Sequence, residues 1–93
     1  MTFLVELVVS LKEGLLDPQG KAVEGALPAL GWENVEHVRV GKYIRLVIQA
    51  PDRDAALEQS ERMAERFLSN PVIEDFRVVA VTEQPQLVSG DRA

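Results

Sequence analysis

Between Val38 and Ala50 the even positions read Val38, Val40, Lys42, Ile44, Leu46, Ile48 and Ala50. Successive side chains on a strand point to opposite faces, so this pattern sets one apolar face of an extended chain, and a helix cannot carry it. The parity runs unbroken through Gly41. A two-residue hairpin at Gly41-Lys42 would set Val38 opposite Arg45 and spoil the pattern. A three-residue loop would place its glycine last rather than first. One long strand over 35–50, bent at Gly41, keeps it. At about 3.3 Å per residue such a strand spans about 50 Å, against five or six residues for an ordinary one. A strand of that length reaches past its own domain to pair elsewhere.

Two further stretches read as strands. Over 3–11, Phe3, Val5, Leu7, Val9 and Leu11 alternate on one face, and Leu4 and Val8 make the other face apolar too, which predicts a strand that is central or covered on both sides. Over 72–82, Phe76, Val78 and Ala80 share one face. Helical spacing fills the gaps. Asp17 is placed to cap a helix and Pro18 to open it, since a missing N–H costs nothing at the first position. Ala22, Val23, Ala26, Leu27 and Leu30 form its predicted inward stripe, with Gly31 just beyond. Pro28 conflicts with a helix interior and predicts a kink there or a helix that loosens before it. After Pro51, Asp52 or Asp54 caps a second helix running through Ser69. Its predicted inward residues are Ala56, Leu57, Ser60, Met63, Ala64, Phe67 and Leu68, with Glu58 and Arg62 paired outside. Asn70-Pro71 stops it.

The order β-α-β-α-β predicts an α+β fold: a small antiparallel sheet with a long bent middle strand and two helices on one face. Residues 1–82 form the single domain and 83–93 a polar tail. A sheet this short leaves both edges open, which invites pairing and predicts oligomerisation.

A net charge of −5 argues against nucleic acid, which needs a basic stripe, and against anionic membranes. The absence of cysteine excludes disulfides, a thiolate metal site and a cysteine nucleophile on this chain. The opening MTFLVELVVSL has no basic lead and is interrupted by Glu6, so it reads as a strand rather than an export signal. No apolar run approaches the roughly 20 residues that span a bilayer. A cytoplasmic protein is expected.

Catalytic constellations are sparse. VGKY lacks the glycine and hydroxyl residue of a phosphate loop. His37 is the sole histidine, which reads as a surface or packing residue rather than a ligand. Glu74 and Asp75 are adjacent on a strand, point to opposite faces and cannot share a substrate atom. Lys42 and Arg39 read as surface ion-pair partners more readily than as a phosphate site. No catalytic, cofactor or metal residue is assigned. Gly20 is left over. Capping explains Asp17 and Pro18, and the plain reading of Asp17-Pro18-Gln19-Gly20 is a well-made helix start; the functional readings are that Gly20 lets another backbone come close, or that the helix N-terminus receives a carboxylate or phosphate.

Three stretches, SLKEGLLDPQGKAVEGAL (10–27), VRVGKYIRL (38–46) and MAERFLSNPVIEDF (63–76), in this order and spacing, resemble the PurS-type small subunit of phosphoribosylformylglycinamidine (FGAM) synthase. Pro28 and Ala64 depart from the family pattern. The resemblance covers about residues 3–82. It implies a chain without an active site in a complex that converts formylglycinamide ribonucleotide, ATP and glutamine to FGAM, ADP, phosphate and glutamate. A glutaminase subunit holds the cysteine nucleophile. A synthetase subunit holds ATP and magnesium, so this chain needs no cofactor. The small subunit bridges the two, supports ammonia transfer, and associates as a homodimer or a dimer of dimers. By resemblance, the interface residues are Asp17, Pro18, Gln19 and Gly20, then Arg39, Gly41 and Lys42, then Asn70, Pro71, Glu74 and Asp75. Gly20→Val is expected to leave the domain folded and weaken assembly, and Gly41→Val to disturb self-association. The alternative is an ACT-like regulatory domain binding a small molecule, against which the DPQG and NPVIEDF segments stand.

Overall fold

A computed structural model of the chain describes residues 1–84. Strand β1 (Thr2–Leu11) leads to helix α1 (Pro18–Ala26) and a 3₁₀ turn (Pro28–Leu30). Strand β2 (Lys42–Gln49), helix α2 (Arg53–Met63), a π-helical turn (Ala64–Leu68) and strand β3 (Glu74–Glu83) follow. The three strands form one antiparallel sheet in the order β2-β1-β3.

The apolar alternation of β1 is why it lies in the centre. Phe3, Val5, Leu7 and Val9 are each no more than 2 % exposed, and they face Ile48, Leu46, Ile44 and Lys42 across the β2 ladder. Each such buried side chain contributes roughly 1.5–3 kcal/mol. Helix α2 and the π turn after it close this face through Ala56 and Ala64, whose small side chains let them approach the sheet. Of the two candidate caps it is Asp52 that closes α2, accepting from the Ala55 N–H at 2.8 Å, and Arg62 meets Glu58 at 3.4 Å as the sequence predicts. Helix α1 ends at Ala26, ahead of Pro28, and Gly31 closes the following turn at φ 106°.

Four expectations are corrected. The middle strand is not long: pairing starts at Lys42, because Gly41 crosses tightly over β1 and the segment before it is engaged by α1 instead of a strand. The two helices do not share one face of the sheet. Helix α2 packs on β1 and β3, whereas α1 makes almost no contact with the strands, and its expected inward stripe is exposed, Val23 by 44 % and Leu30 by 68 %. Ala80 does not share a face with Phe76 and Val78. A β-bulge at Val79 puts one extra residue into β3, so Val78 faces Leu7 but Val81, not Ala80, faces Val5. Phe67 does not point inward. The π turn, closed by the Ser69 N–H donating to the Ala64 carbonyl at 2.9 Å, turns each residue by less than an α-helix does, and Phe67 emerges 86 % exposed.

Glu83, expected to begin the tail, closes β3, and the Gln84 N–H donates to the Thr2 carbonyl at 2.7 Å. The remaining tail, 85–93, lies outside the described residues.

Candidate functional site: a carboxylate clasp and the corner it holds

Asp17 does more than cap its own helix. One carboxylate oxygen accepts from the Gly20 N–H at 2.9 Å, which is the expected cap. The other accepts from the Val40 N–H at 2.7 Å, 23 residues further on. The side chain is thereby shared between α1 and the segment entering β2. These two backbone hydrogen bonds, with the Arg39 guanidinium nearby, hold its carboxyl below the usual carboxylate range. Arg39 works from the same segment. Its guanidinium donates to the carbonyls of Leu15 at 2.8 Å, Lys12 at 3.1 Å and Leu11 at 3.3 Å, tying down the loop between β1 and α1. Glu24, one turn into α1, accepts from the Val38 N–H at 3.3 Å.

Gly20 completes this clasp. A Cβ placed there would lie 2.1 Å from the Val38 carbonyl oxygen, closer than any real side chain sits to backbone. The backbone that must come close is therefore the chain's own. Gly41 is similar, since a Cβ there would lie 2.6 Å from the Val9 carbonyl oxygen. This contact argues against the expectation that Gly20→Val leaves the fold intact, because the added side chain meets the chain's own backbone.

The three sequence stretches meet at one corner, where β1 ends and α1, β2 and β3 begin. An open recess there is bordered by Asp17, Pro18, Gln19, Gly41, Lys42 and Glu74. Pro18 and Gln19 are exposed. Lys42 approaches Glu74 at 3.8 Å, while Lys12 pairs with Asp75 at 2.7 Å, so the two neighbouring carboxylates serve different faces, as their register requires. The turn before β3 is stitched by Asn70. Its side-chain oxygen accepts from the Val72 N–H at 3.1 Å, its carbonyl from Glu74 at 2.7 Å, and its own N–H donates to the Glu74 carboxylate at 2.7 Å. Pro71 fills this turn and is exposed. His37 lies on the surface near the clasp, at φ 60° and 3.1 Å from Glu36.

Glu24, Lys12 and Val38 were not singled out by sequence reasoning. The spacing of Glu24 and Val38 carries no periodic signal, and Lys12 meets its carboxylate from 63 residues away.

Helix, loop and strand are thus locked to each other at the corner, while the helix stripe and the second face of the sheet lie bare. That is the build of an assembly module, a small domain shaped to be one part of a larger body.

The comparisons with known proteins agree. The model of the family PurS, phosphoribosylformylglycinamidine (FGAM) synthase, matches residues 4–82, and the chain belongs to that family. The FGAM synthase subunit PurS of Bacillus subtilis is 48% identical over 75 residues, covering 81% of this chain and 88% of that one. The structure of PurS from Thermus thermophilus superposes with a TM-score of 0.81 at 42% identity, over 91% of this chain and 100% of the other. A chain of the structure of PurLQS from Thermotoga maritima superposes with a TM-score of 0.77 at 29% identity, over 84% and 95%. As a PurS chain it is a subunit of FGAM synthase, a ligase complex of purine biosynthesis, and works with partner subunits. Nothing in these comparisons supports the ACT-like alternative. Among the described residues, no helix is long and apolar enough to cross a membrane.

Proposed function

We propose that this chain is the bridging subunit of its complex: it joins a glutaminase subunit to a synthetase subunit, supports ammonia transfer between them, and first associates with itself as a homodimer or a dimer of dimers. The observation that carries the reading is the family match over residues 4–82 in a domain that leaves one sheet face and the α1 stripe bare. Of the corner residues, the exposed Pro18, Gln19, Lys42, Asn70, Pro71 and Asp75, with half-buried Glu74, form a contact surface for the larger subunits. Asp17, Gly20, Arg39 and Gly41 fix the shape of that surface from behind. ATP and magnesium act on the synthetase subunit, this chain contributes no cofactor, and the complex works in the cytoplasm.

The test is reconstitution. Purified synthetase and glutaminase subunits are given glutamine, ATP, magnesium and formylglycinamide ribonucleotide, with and without this chain. FGAM formation from glutamine is expected only when the chain is present. An equal rate in its absence would sink the bridging role.

A further inference from the structure

The two most exposed large hydrophobic side chains among the described residues belong to one short stretch. Phe67 is 86 % exposed and Val72 80 %. Apolar side chains scattered singly over a surface need no explanation, but these two share a segment that is held rigid along its length. Ahead of it, the buried Ala64 carbonyl accepts from both the N–H and the hydroxyl of Ser69, at 2.9 and 2.8 Å, and Leu68 packs against the core. In the middle, the Asn70 carbonyl accepts from the Ile73 and Glu74 N–H groups at 3.0 and 2.7 Å, and the Asn70 side chain from the Val72 N–H at 3.1 Å. At its end, the Ile73 carbonyl accepts from the Lys12 N–H at 2.9 Å and ties the turn to β1. An α-helical continuation would have turned Phe67 inward; the π turn turns it out, and such insertions are frequent at functional sites. A ring displayed on a fixed backbone has little freedom left to lose when it binds.

The position of the stretch indicates what covers it. Ala64 and Leu68 belong to the layer that covers Val5 and Ile48, whereas Tyr43 and Val47 lie on the other side of β2. A copy seated on the bare sheet face is therefore across the sheet from Phe67. A second copy also offers the ring no socket. The recess at the base of α1 is lined by Lys21 and Glu24, the corner recess by Lys42 and Glu74, and the groove between α2 and β3 by Arg53 and Glu61. A phenyl ring in any of them would strip water from charged groups without pairing them. The socket belongs to a different chain, and a subunit of FGAM synthase works with such chains. We infer that Phe67, with Val72 five residues on, is the anchor by which this chain docks into an apolar socket on a larger subunit of its complex. The anchor continues the corner surface through Pro71, deepens the bridging role proposed above and rests on it.

Full-length wild-type, Phe67→Ser, Phe67→Leu and Val72→Ser chains are titrated into fixed synthetase and glutaminase subunits with glutamine, ATP, magnesium and formylglycinamide ribonucleotide. Phe67→Ser is expected to raise the half-saturating concentration of the chain roughly thirty-fold, which is an interface hot spot of about 2 kcal/mol at about 1.4 kcal/mol per tenfold. Its plateau rate, its melting curve and its mass alone in solution by light scattering are expected to match the wild type. Val72→Ser should raise the half-saturating concentration several-fold, and Phe67→Leu, which keeps an apolar side chain, should recover most of the loss. A Phe67→Ser chain that saturates at the wild-type concentration would overturn the anchor and leave the bridging role standing. FGAM formation at an equal rate with no chain added would remove the bridging role itself. A lower mass for the Phe67→Ser chain alone would assign the ring to a second copy and refute the inference.

Discussion

Gly20→Ala separates two explanations of the glycine in the first turn of α1. Helix propensity alone favours alanine by up to about 1 kcal/mol. The geometry says the opposite. The new Cβ would sit 2.1 Å from the Val38 carbonyl oxygen, and since such contacts are essentially never shorter than 3.0 Å, α1 and the facing segment must part by about 0.9 Å, the difference of the two. The same movement would stretch the bond from Val40 to Asp17 from 2.7 Å to about 3.6 Å, outside hydrogen-bonding range. Overpacking of this kind costs about 1–3 kcal/mol. Less a propensity gain of about 1 kcal/mol, a net loss of about 0–2 kcal/mol remains, or up to roughly 16 °C in Tm for a domain of this size, against a gain at a site without the contact. Gly25→Ala, in the same helix with nothing within 4 Å of its Cβ, is the control and should gain about 0.5–1 kcal/mol. Both variants are melted by far-UV dichroism at one protomer concentration, because association shifts Tm. Hydrogen exchange at the Val40 amide reads the clasp locally. A Gly20→Ala protein that melts as high as Gly25→Ala, with Val40 still protected, would refute the close-approach argument.

Acid should open the clasp. Asp17 has a folded pKa below its ordinary 3.8, so its contribution to stability is fully present above that value and is lost as pH falls through the folded pKa. Asp17→Asn should flatten this acid limb in urea midpoints taken at descending pH; an identical limb in both proteins would exclude Asp17 as its source. Arg39→Ala removes three donations to carbonyls and should destabilise by about 1 kcal/mol, since the guanidinium is exposed, with faster exchange confined to the loop between β1 and α1. Phe67→Ser should change stability by less than about 0.5 kcal/mol, where a core phenylalanine would cost about 3–5 kcal/mol. A large loss would show that Phe67 is buried after all.

Much of the fold was legible because local signals and tertiary packing agreed. The alternation of Phe3, Val5, Leu7 and Val9 gave the apolar face of the first strand, Asp17 gave one helix start, Asp52 was one of two candidates for the other, and Pro28 marked where the first helix, expected to reach about Leu30, gives way. The errors share a physical cause: a single inserted residue reverses the facing of everything after it, yet leaves no mark in composition. Val78, Val79, Ala80 and Val81 are all apolar, so either parity suits them, and the bulge decides. Ala64–Leu68 would serve an α-helix as readily as the π turn that expels Phe67. The beginning of β2 was misread for another reason. Its alternation is real, but the N–H groups of Val38 and Val40 are taken by carboxylates from α1, and nothing in the local pattern shows a partner 14 or 23 residues away.

The α1 stripe carries the same lesson to function. Periodicity states that a helix face is made to be covered, and it is silent about which molecule covers it. Here the clasp answers the first half of that question, because a helix pinned by Asp17, Glu24 and Gly20 to its own chain is not free to turn its stripe inward. The corner residues that mark the family divide accordingly. Asp17, Gly20, Arg39 and Gly41 face the protein's own backbone, and their substitution should first be felt as lost stability. Pro18, Gln19 and Pro71 face outward and touch little, so their substitution should leave the melting curve in place and change assembly alone. A Gln19→Ala chain that loses stability instead would place Gln19 with the struts and take it out of the contact surface.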